Sequence, residues 1–356
     1  MMYRGIEMIV RKVEELEGNE ILARVLTTWD YQIILPEGAV IRAEYIDKLK
    51  DLGVKEVCVC EEEEIHESLI LKTDIESSIK KKVKEILEKH TYKHNGNLEE
   101  LSKAADNIIS NILEEKQVVE KVYDIKQRIA DIYEHSISIC SLAILTALRM
   151  ELSAKTIHDI GVACLLHDIG LRYQTYDFSD KNLDEFSNYE LSEFKKHPIY
   201  GYSALKGEDW LSDTSKEIVL LHHERINGSG FPLKVREIPL ECRIVSVCDA
   251  FDEMICGIGC KRIKVYEAIE FLKFHKNKKF DGRVVDVFLN FTAVYPVGTH
   301  VLTNEGEIGV VVEQNNNFQD RPILRIIQDR NGSNVKKEII KDLMKVQNLF
   351  IEKVVS

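Results

Sequence analysis

The sequence predicts a mainly helical chain with a small α+β module at its N-terminus and a small β module at its C-terminus. Three observations predict this. Apolar residues recur at helical spacing over most of the stretch from about residue 74 to about 290. The first seventy or so residues mix short strand-like runs with one helical run. From about residue 293 onward, short strand-like runs are separated by turn residues.

In the N-terminal module, residues 1–73, Glu20-Ile-Leu-Ala-Arg-Val-Leu and Tyr31-Gln-Ile-Ile-Leu read as short strands. Pro36-Glu37-Gly38 supplies turn chemistry after them. Residues 43–53 read as a helix stopped by Gly53, and Val54 to Cys60 alternates like a strand. Residues 74–130 read as a helical connector. Its apolar marks are Ile75, Ile79, Val83, Ile86 and Leu87, then Leu101, Ala105, Ile108, Ile109, Ile112 and Leu113, with a helix running on to Arg128. The polar stretch His90 to Asn97 breaks the two runs.

Residues 131–292 form the helical centre. Asp131 opens a nearly buried helix that carries His135 one turn later, so the two share a face. Ser153-Ala-Lys-Thr is a helix start. The helix it opens runs into His167-Asp168-Ile169-Gly170, where Gly170 is expected to stop it. Residues 172–190 read as a loop over the site. A helix begins near His197-Pro198, and Lys216 to His223 forms another, followed by a turn-rich loop from Arg225 to Pro232. The apolar helix Cys242 to Met254 carries Asp249. Residues 293–356 form the C-terminal module, with turns at Asn304-Glu305-Gly306 and Arg330-Asn-Gly-Ser.

Composition narrows the function. At 356 residues the chain can hold two or three domains, and 44% hydrophobic with 30% charged residues is ordinary for a globular protein. A net charge of -12 argues against a nucleic-acid polymer bound on a basic surface. An anionic substrate stays compatible if metal ions supply local positive charge. Met1-Met2-Tyr3-Arg4-Gly5 lacks the apolar core of a signal peptide, and no run approaches the roughly 20 apolar residues of a membrane span. The eight scattered cysteines read as reduced core thiols of a cytoplasmic protein.

The chemistry-bearing residues concentrate in the centre. Six of the eleven histidines lie between residues 135 and 223. His135, His167, His197, His222 and His223, with Asp168 and Asp249, sit in or beside apolar runs. A chain that buries such groups repeatedly must compensate them, and a shared metal cluster does so. Each residue alone has a plainer reading. His135 could be a satisfied core residue, His197 a turn residue before Pro198, Asp249 a helix cap and His222-His223 surface. His158, half a turn around the helix from His167, reads as structural, and His66, His90, His94, His275 and His300 as surface. Asp168 is the natural bridge between two metals, because its neighbour His167 can ligate one of them. Two such metals can hold a phosphoryl group and activate water with no serine or cysteine nucleophile.

Residues 125–290 resemble the HD-GYP family, the HD-superfamily phosphodiesterases of bacterial cyclic di-GMP signalling. The resemblance rests on His135-Ser136, His167-Asp168-Ile169-Gly170, His197-x-x-x-Gly201, His222-His223-Glu224, Gly228-Ser229-Gly230-Phe231-Pro232, Ile238-Pro239, Arg243-Ile244 and Asp249-Ala250-Phe251-Asp252. It implies an HD-type helical bundle, two or three divalent ions (iron or manganese), and hydrolysis of cyclic di-GMP to the linear dinucleotide and onward to GMP. The implied ligands are His135, His167, Asp168, His197, His222, His223 and Asp249, with His167 and Asp168 at the catalytic centre. Some members add a carboxylate four residues before the first histidine for a third metal. Asp131 holds that position here, where those members have Glu.

Three departures thin the implied substrate shell. Leu171 stands where the family has lysine, with Arg172 one residue out of register. Phe231 replaces the tyrosine of Gly-Tyr-Pro, keeping a ring without its hydroxyl. Ile258-Gly259-Cys260-Lys261 replaces Arg-Pro-Tyr-Arg and keeps one basic residue. The expected substrate contacts are therefore Lys261, Arg225, Phe231 and Gly230. Two other readings compete: a weak or inactive cyclic-dinucleotide sensor, signalling as a homodimer or to a partner through its end modules, and a phosphohydrolase of the same superfamily acting on another nucleotide.

Overall fold

The computed structural model describes residues 6–16, 20–22, 26–27, 33–35, 39, 41, 43–62, 69–93, 97–114, 118, 121–125, 127–128, 131–174, 181, 185–316, 318–335 and 339–355. The chain divides into two compact units, Met1–His66 and Glu67–Ser356.

The first unit contains strands β1 (Ile6–Lys12), β2 (Ile21–Leu22), β3 (Leu26–Thr27), β4 (Ile33–Leu35) and β5 (Glu56–Glu62), with helix α1 (Ala43–Asp51) before β5. β1, β5 and β2 form an antiparallel sheet in that order, and β3 pairs with β4. Gly53 takes φ +73° just after α1, the left-handed stop expected of it. Val13, Leu22, Ile41, Leu49, Val57 and Val59 make the core. β1 was not expected. Ile9 and Val10 interrupt its alternation, and Val10 stays exposed at the surface. The expected strands at 20–26 and 31–35 fall partly outside the described residues, and the Pro36–Gly38 turn wholly so.

The second unit is helical and ends in a sheet. Its helices are α2 (Thr73–Lys93), α3 (Glu100–Glu114), α4 (Ile132–Arg149), α5 (Ala154–Leu166), α6 (Asn188–Phe194), α7 (His197–Leu205), α8 (Asp213–Leu221), α9 (Leu240–Cys256), α10 (Val265–His275) and α11 (Gly282–Leu289). α4 lies at the centre, buried along most of its length, with α5 and α9 against it. Ser153 caps α5 as expected, accepting the Thr156 amide at 3.2 Å. The mainly helical class with small end modules is the observed one. No helix among the described residues is long and apolar enough to cross a membrane.

The connector departs from expectation. α2 reaches Lys93, inside the polar stretch, and α3 spans Glu100–Glu114, with no helix among the described residues from there to Arg128. Val118 and Val122 have helical spacing, but Val122, Tyr123 and Ile125 are β-branched or aromatic and lose rotamer freedom in a helix. Around Tyr123 the chain pairs like a strand instead, bridging to Thr292. The Tyr123 amide donates to Phe291 O at 2.7 Å, and Ala293 N donates back to Tyr123 O at 3.0 Å. Buried Asp124 accepts from Val297 N and Gln314 Nε2, both at 2.8 Å, which fastens the start of the C-terminal module to the helices.

That module is a five-stranded sheet of β6 (His300–Thr303), β7 (Ile308–Asn315), β8 (Phe318–Gln328), β9 (Ile340–Asp342) and β10 (Ile351–Val354), in the order β10-β6-β7-β8-β9.

Gly170 does not end α5, which stops at Leu166. It sits instead in a 3-10 helix, Ile169–Tyr173, laid against the first turns of α7. A Cβ there would collide with the His197 carbonyl oxygen and lie 2.8 Å from the Gly201 amide nitrogen. The glycine therefore sets how closely His197 approaches Asp168. Replacing it, Gly170→Ala, is expected to destabilise the fold by about 1–3 kcal/mol in chemical denaturation, as overpacked sites do. An unchanged midpoint would mean that α7 yields without cost.

Candidate metal centre

Helix ends deliver most of the site. His167 is the C-cap of α5 and Asp168 follows it. His197 opens α7, His222 is the C-cap of α8, and His223 comes next. His135 and Asp249 come from inside α4 and α9. All seven side chains are buried.

Three of the histidines orient themselves by one local rule. His167 Nδ1 lies 2.7 Å from Cys164 O, His197 Nδ1 2.7 Å from Phe194 O, and His222 Nδ1 2.9 Å from Val219 O. Each acceptor is the carbonyl three residues earlier. A carbonyl only accepts, so Nδ1 carries the proton, and a neutral ring turns its Nε2 lone pair inward. His135, inside a helix, has no such free carbonyl. Its Nδ1 instead faces Asp252 Oδ2 at 2.8 Å, and Asp252 is also held by Arg128 at 3.0 Å and Ser138 at 2.7 Å.

The inward atoms converge on Asp168. Its Oδ2 faces His167 Nε2 at 3.3 Å and His135 Nε2 at 3.8 Å. Its Oδ1 faces His197 Nε2 at 3.2 Å and His222 Nε2 at 3.9 Å. Asp249 Oδ1 completes the first set, 3.4 Å from His135 Nε2. The candidate ligand sets are therefore His135–His167–Asp249 and Asp168–His197–His222–His223, with the donor atoms of each within 4.8 Å of one another.

These donors fit a cation better than they fit each other. His135 Nε2, His167 Nε2 and both Asp249 oxygens are buried without a hydrogen-bond partner. His197 Nε2 and His222 Nε2 approach to 3.1 Å although both Nδ1 atoms already carry protons. Two facing lone pairs repel, and a shared divalent ion turns that repulsion into ligation. Burial, with His167 next, pushes the His222 imidazole down to about 3, so it is neutral and ready to ligate at ordinary pH. Burial opposes ionisation of Asp168, yet His167 and His197 hold its carboxyl well below the usual range. Burial also opposes protonation of His135, but Asp249 and Asp252 outweigh it and raise that imidazole well above its ordinary value. Metal uptake at His135 therefore competes with a proton.

The other expected residues are placed differently. Asp131 is the N-cap of α4, accepting the Tyr133 and Glu134 amides at 3.0 Å, and its other oxygen pairs with Lys80 at 2.9 Å. It belongs to neither ligand set. Arg225 turns Nη1 inward onto Glu224 O and Ser246 Oγ at 2.9 and 2.6 Å, over the Phe280 ring. Phe231 stacks on His223, with ring centres 4.4 Å apart. Gly230 lets its loop close over the His-His turn, because a Cβ there would lie 2.5 Å from Glu224 Cα. Lys261 is exposed beyond α9. Arg172 does not take the place of the absent lysine; it donates to Thr91 Oγ1 at 2.8 Å and to the Tyr133 hydroxyl. His158 hydrogen-bonds Ser102 at 3.0 Å, in keeping with a structural role.

Asp252 is part of a quoted motif but was given no role, and Glu253 was not singled out at all. They lie three and four residues past Asp249 on an apolar helix, and that spacing was the available signal.

Known proteins resemble this chain. A family described as an HD domain matches residues 107–284. The chain belongs to the HD domain family. A KOW domain associated with HD domains matches residues 300–356, the region of the C-terminal sheet. The cyclic di-GMP phosphodiesterase PA4108 of Pseudomonas aeruginosa is 30% identical over 217 residues, covering 60% of this chain and 52% of that protein. The cyclic di-GMP phosphodiesterase response regulator RpfG of Xanthomonas campestris is 34% identical over 41% of this chain and 39% of that protein. The chain thus spans about half the length, or less, of these curated relatives. The solved structure of Bd1817, a HDG"Y"P protein from Bdellovibrio bacteriovorus, aligns over 79% of this chain and 98% of that one, with a TM-score of 0.48 and 20% identity. The HD domain and its buried His/Asp clusters point to divalent metal binding.

Asp252 orients a ligand it does not replace. The variant Asp252→Asn carries no charge for Arg128 and a single acceptor for its several donors. It is expected to weaken divalent-metal affinity about 10–100-fold without changing the number of ions bound, as measured by chelator competition. Unchanged affinity would remove Asp252 from that role.

Proposed function

We propose that the chain is a metal-dependent phosphodiesterase that hydrolyses cyclic di-GMP to the linear dinucleotide and onward to GMP. The observation that carries this reading is Asp168, whose two oxygens each face a separate set of imidazoles. The curated relatives named cyclic di-GMP phosphodiesterases support the choice of substrate. Bound at these donors, two divalent ions, iron or manganese, supply Lewis acidity at phosphorus and lower the pKa of water.

The chain's own residues do the rest. His167, His197 and His222 are locked by their own helix turns, so the donor geometry costs little reorganisation. Asp168 holds the two donor sets together. Phe231 shields the face of His223 on which it stacks. Lys261, exposed beyond α9, is the cation assigned to meet a phosphate or a base edge.

A second reading is a cyclic-dinucleotide sensor with little or no turnover. Specific observations favour it: Leu171 replaces the family's lysine, and both Arg172 and Arg225 have donors committed to other parts of the protein. A 3'3'-cGAMP-specific phosphodiesterase of Vibrio cholerae is also among the relatives, at 28% identity over 38% of this chain, so substrate range belongs in the same test.

The test is to load the purified protein with Fe(II) or Mn(II) under reducing conditions and follow cyclic di-GMP and 3'3'-cGAMP by chromatography. Turnover of cyclic di-GMP that disappears in Asp168→Ala is the expected result. Tight binding of the dinucleotide without turnover in either metal would sink the enzyme reading and leave the sensor.

A further inference from the structure

We propose a third cation position on the α9 side of the centre, formed by Asp249, Glu253 and His223. It rests on the metal-centre reading above and extends it to a residue that neither ligand set contains.

Asp249 supplies the first observation. Its carboxylate is 1% exposed, and neither oxygen has a hydrogen-bond partner. The two oxygens face different neighbours. Oδ1 looks toward His135 and His167, at 3.4 and 3.7 Å, while Oδ2 looks away from them toward His223 Nδ1 at 3.3 Å. One ion in the His135–His167–Asp249 set uses Oδ1 and leaves Oδ2 unsatisfied.

Glu253 supplies the second. It lies one turn beyond Asp249 on the same face of α9, its side chain only 16% exposed. Two carboxylates at this spacing repel, and burial sharpens the repulsion. Among the described residues no lysine or arginine nitrogen lies within 4.0 Å of Glu253; its one ion-pair neighbour is His223 Nε2 at 3.9 Å. That distance is too long for a hydrogen bond. The pair is therefore left without a direct bond. The donor atoms of His223, Asp249 and Glu253 lie within 4.8 Å of one another.

His223 supplies the third. Unlike His167, His197 and His222, it has neither ring nitrogen tied to the carbonyl three residues back. Its ring is held by Phe231, and a single nitrogen of it lies within 4.8 Å of an oxygen of both Asp249 and Glu253. Two oxygens and one imidazole nitrogen suit a hard or borderline divalent ion such as Mn(II). At the opposite edge of the centre, Asp131 is already used by the α4 cap and by Lys80, so a third ion there would have to displace an ammonium group.

The experiment counts metals and needs no substrate. The full-length protein is stripped with a chelator, reloaded with Mn(II), freed of excess, and measured by elemental analysis. Three ions per chain are expected for wild type and for Asp131→Asn, and two for Glu253→Gln. Circular dichroism of the stripped proteins checks folding. Glu253→Asp keeps the charge but draws the carboxylate back, and should keep three sites with the weakest about tenfold weaker. Glu253→Gln and Glu253→Asp that both match wild type in count and affinity would overturn the third position. So would two ions in wild type, while leaving the two-ion centre standing. No ion in wild type would overturn both.

Discussion

Everything in the helical unit depends on how the Asp168 carboxylate is compensated. It is buried among four imidazoles from four helices, with His135 and His167 on one oxygen and His197 and His222 on the other. Unpaired, such a group would cost several kcal/mol to bury. Hydrogen bonding alone cannot balance the set, because three of the rings have already given their Nδ1 protons to backbone carbonyls. What remains inward is lone pairs and carboxylate oxygens. A cation satisfies all of them at once, and the positions of α4, α5, α7 and α8 follow from bringing those atoms together.

The local device behind this is economical. A histidine at a helix end can reach the carbonyl three residues back, which the last turn leaves without an amide partner. The bond fixes ring and tautomer before any long-range packing forms. His135 cannot use it inside α4, where carbonyls are already spent, and so borrows Asp252 from α9, which in turn needs Arg128. The same helix thus supplies a candidate ligand in Asp249, a support in Asp252 and an added carboxylate in Glu253.

The helical class and the buried histidines and aspartates that the centre gathers were legible in the sequence, for a shared reason. Helical periodicity and histidines in apolar surroundings are both departures from what solvent would select. Asp252 and Glu253 were harder to read, since acids following an aspartate look like the polar face of a helix until the packing shows that face turned inward. Gly170 looked like a helix stop because glycine commonly is one; its actual constraint, the approach of His197 from a segment far along the chain, has no local trace. The stretch around Val122 has no local trace either. Val118 and Val122 keep helical spacing, and only the pairing of Tyr123 with Phe291 and Ala293 reveals the strand-like path there.

The substrate side shows the opposite weakness. Arg225 and Phe231 sit where the resemblance suggests substrate contacts, yet both are spent on the His222-His223 turn, one through its guanidinium and the other through its ring. Lys80, the cation nearest the α4 cap, is likewise taken by Asp131 and Glu134. With a net charge of -12, little side-chain positive charge is left to draw in an anionic dinucleotide. Attraction would then fall to the ions themselves. A third ion beside Glu253 bears directly on that balance: it adds two positive charges at the centre. A centre of this kind would bind its substrate only as well as it is loaded with metal, so occupancy would govern affinity as well as rate.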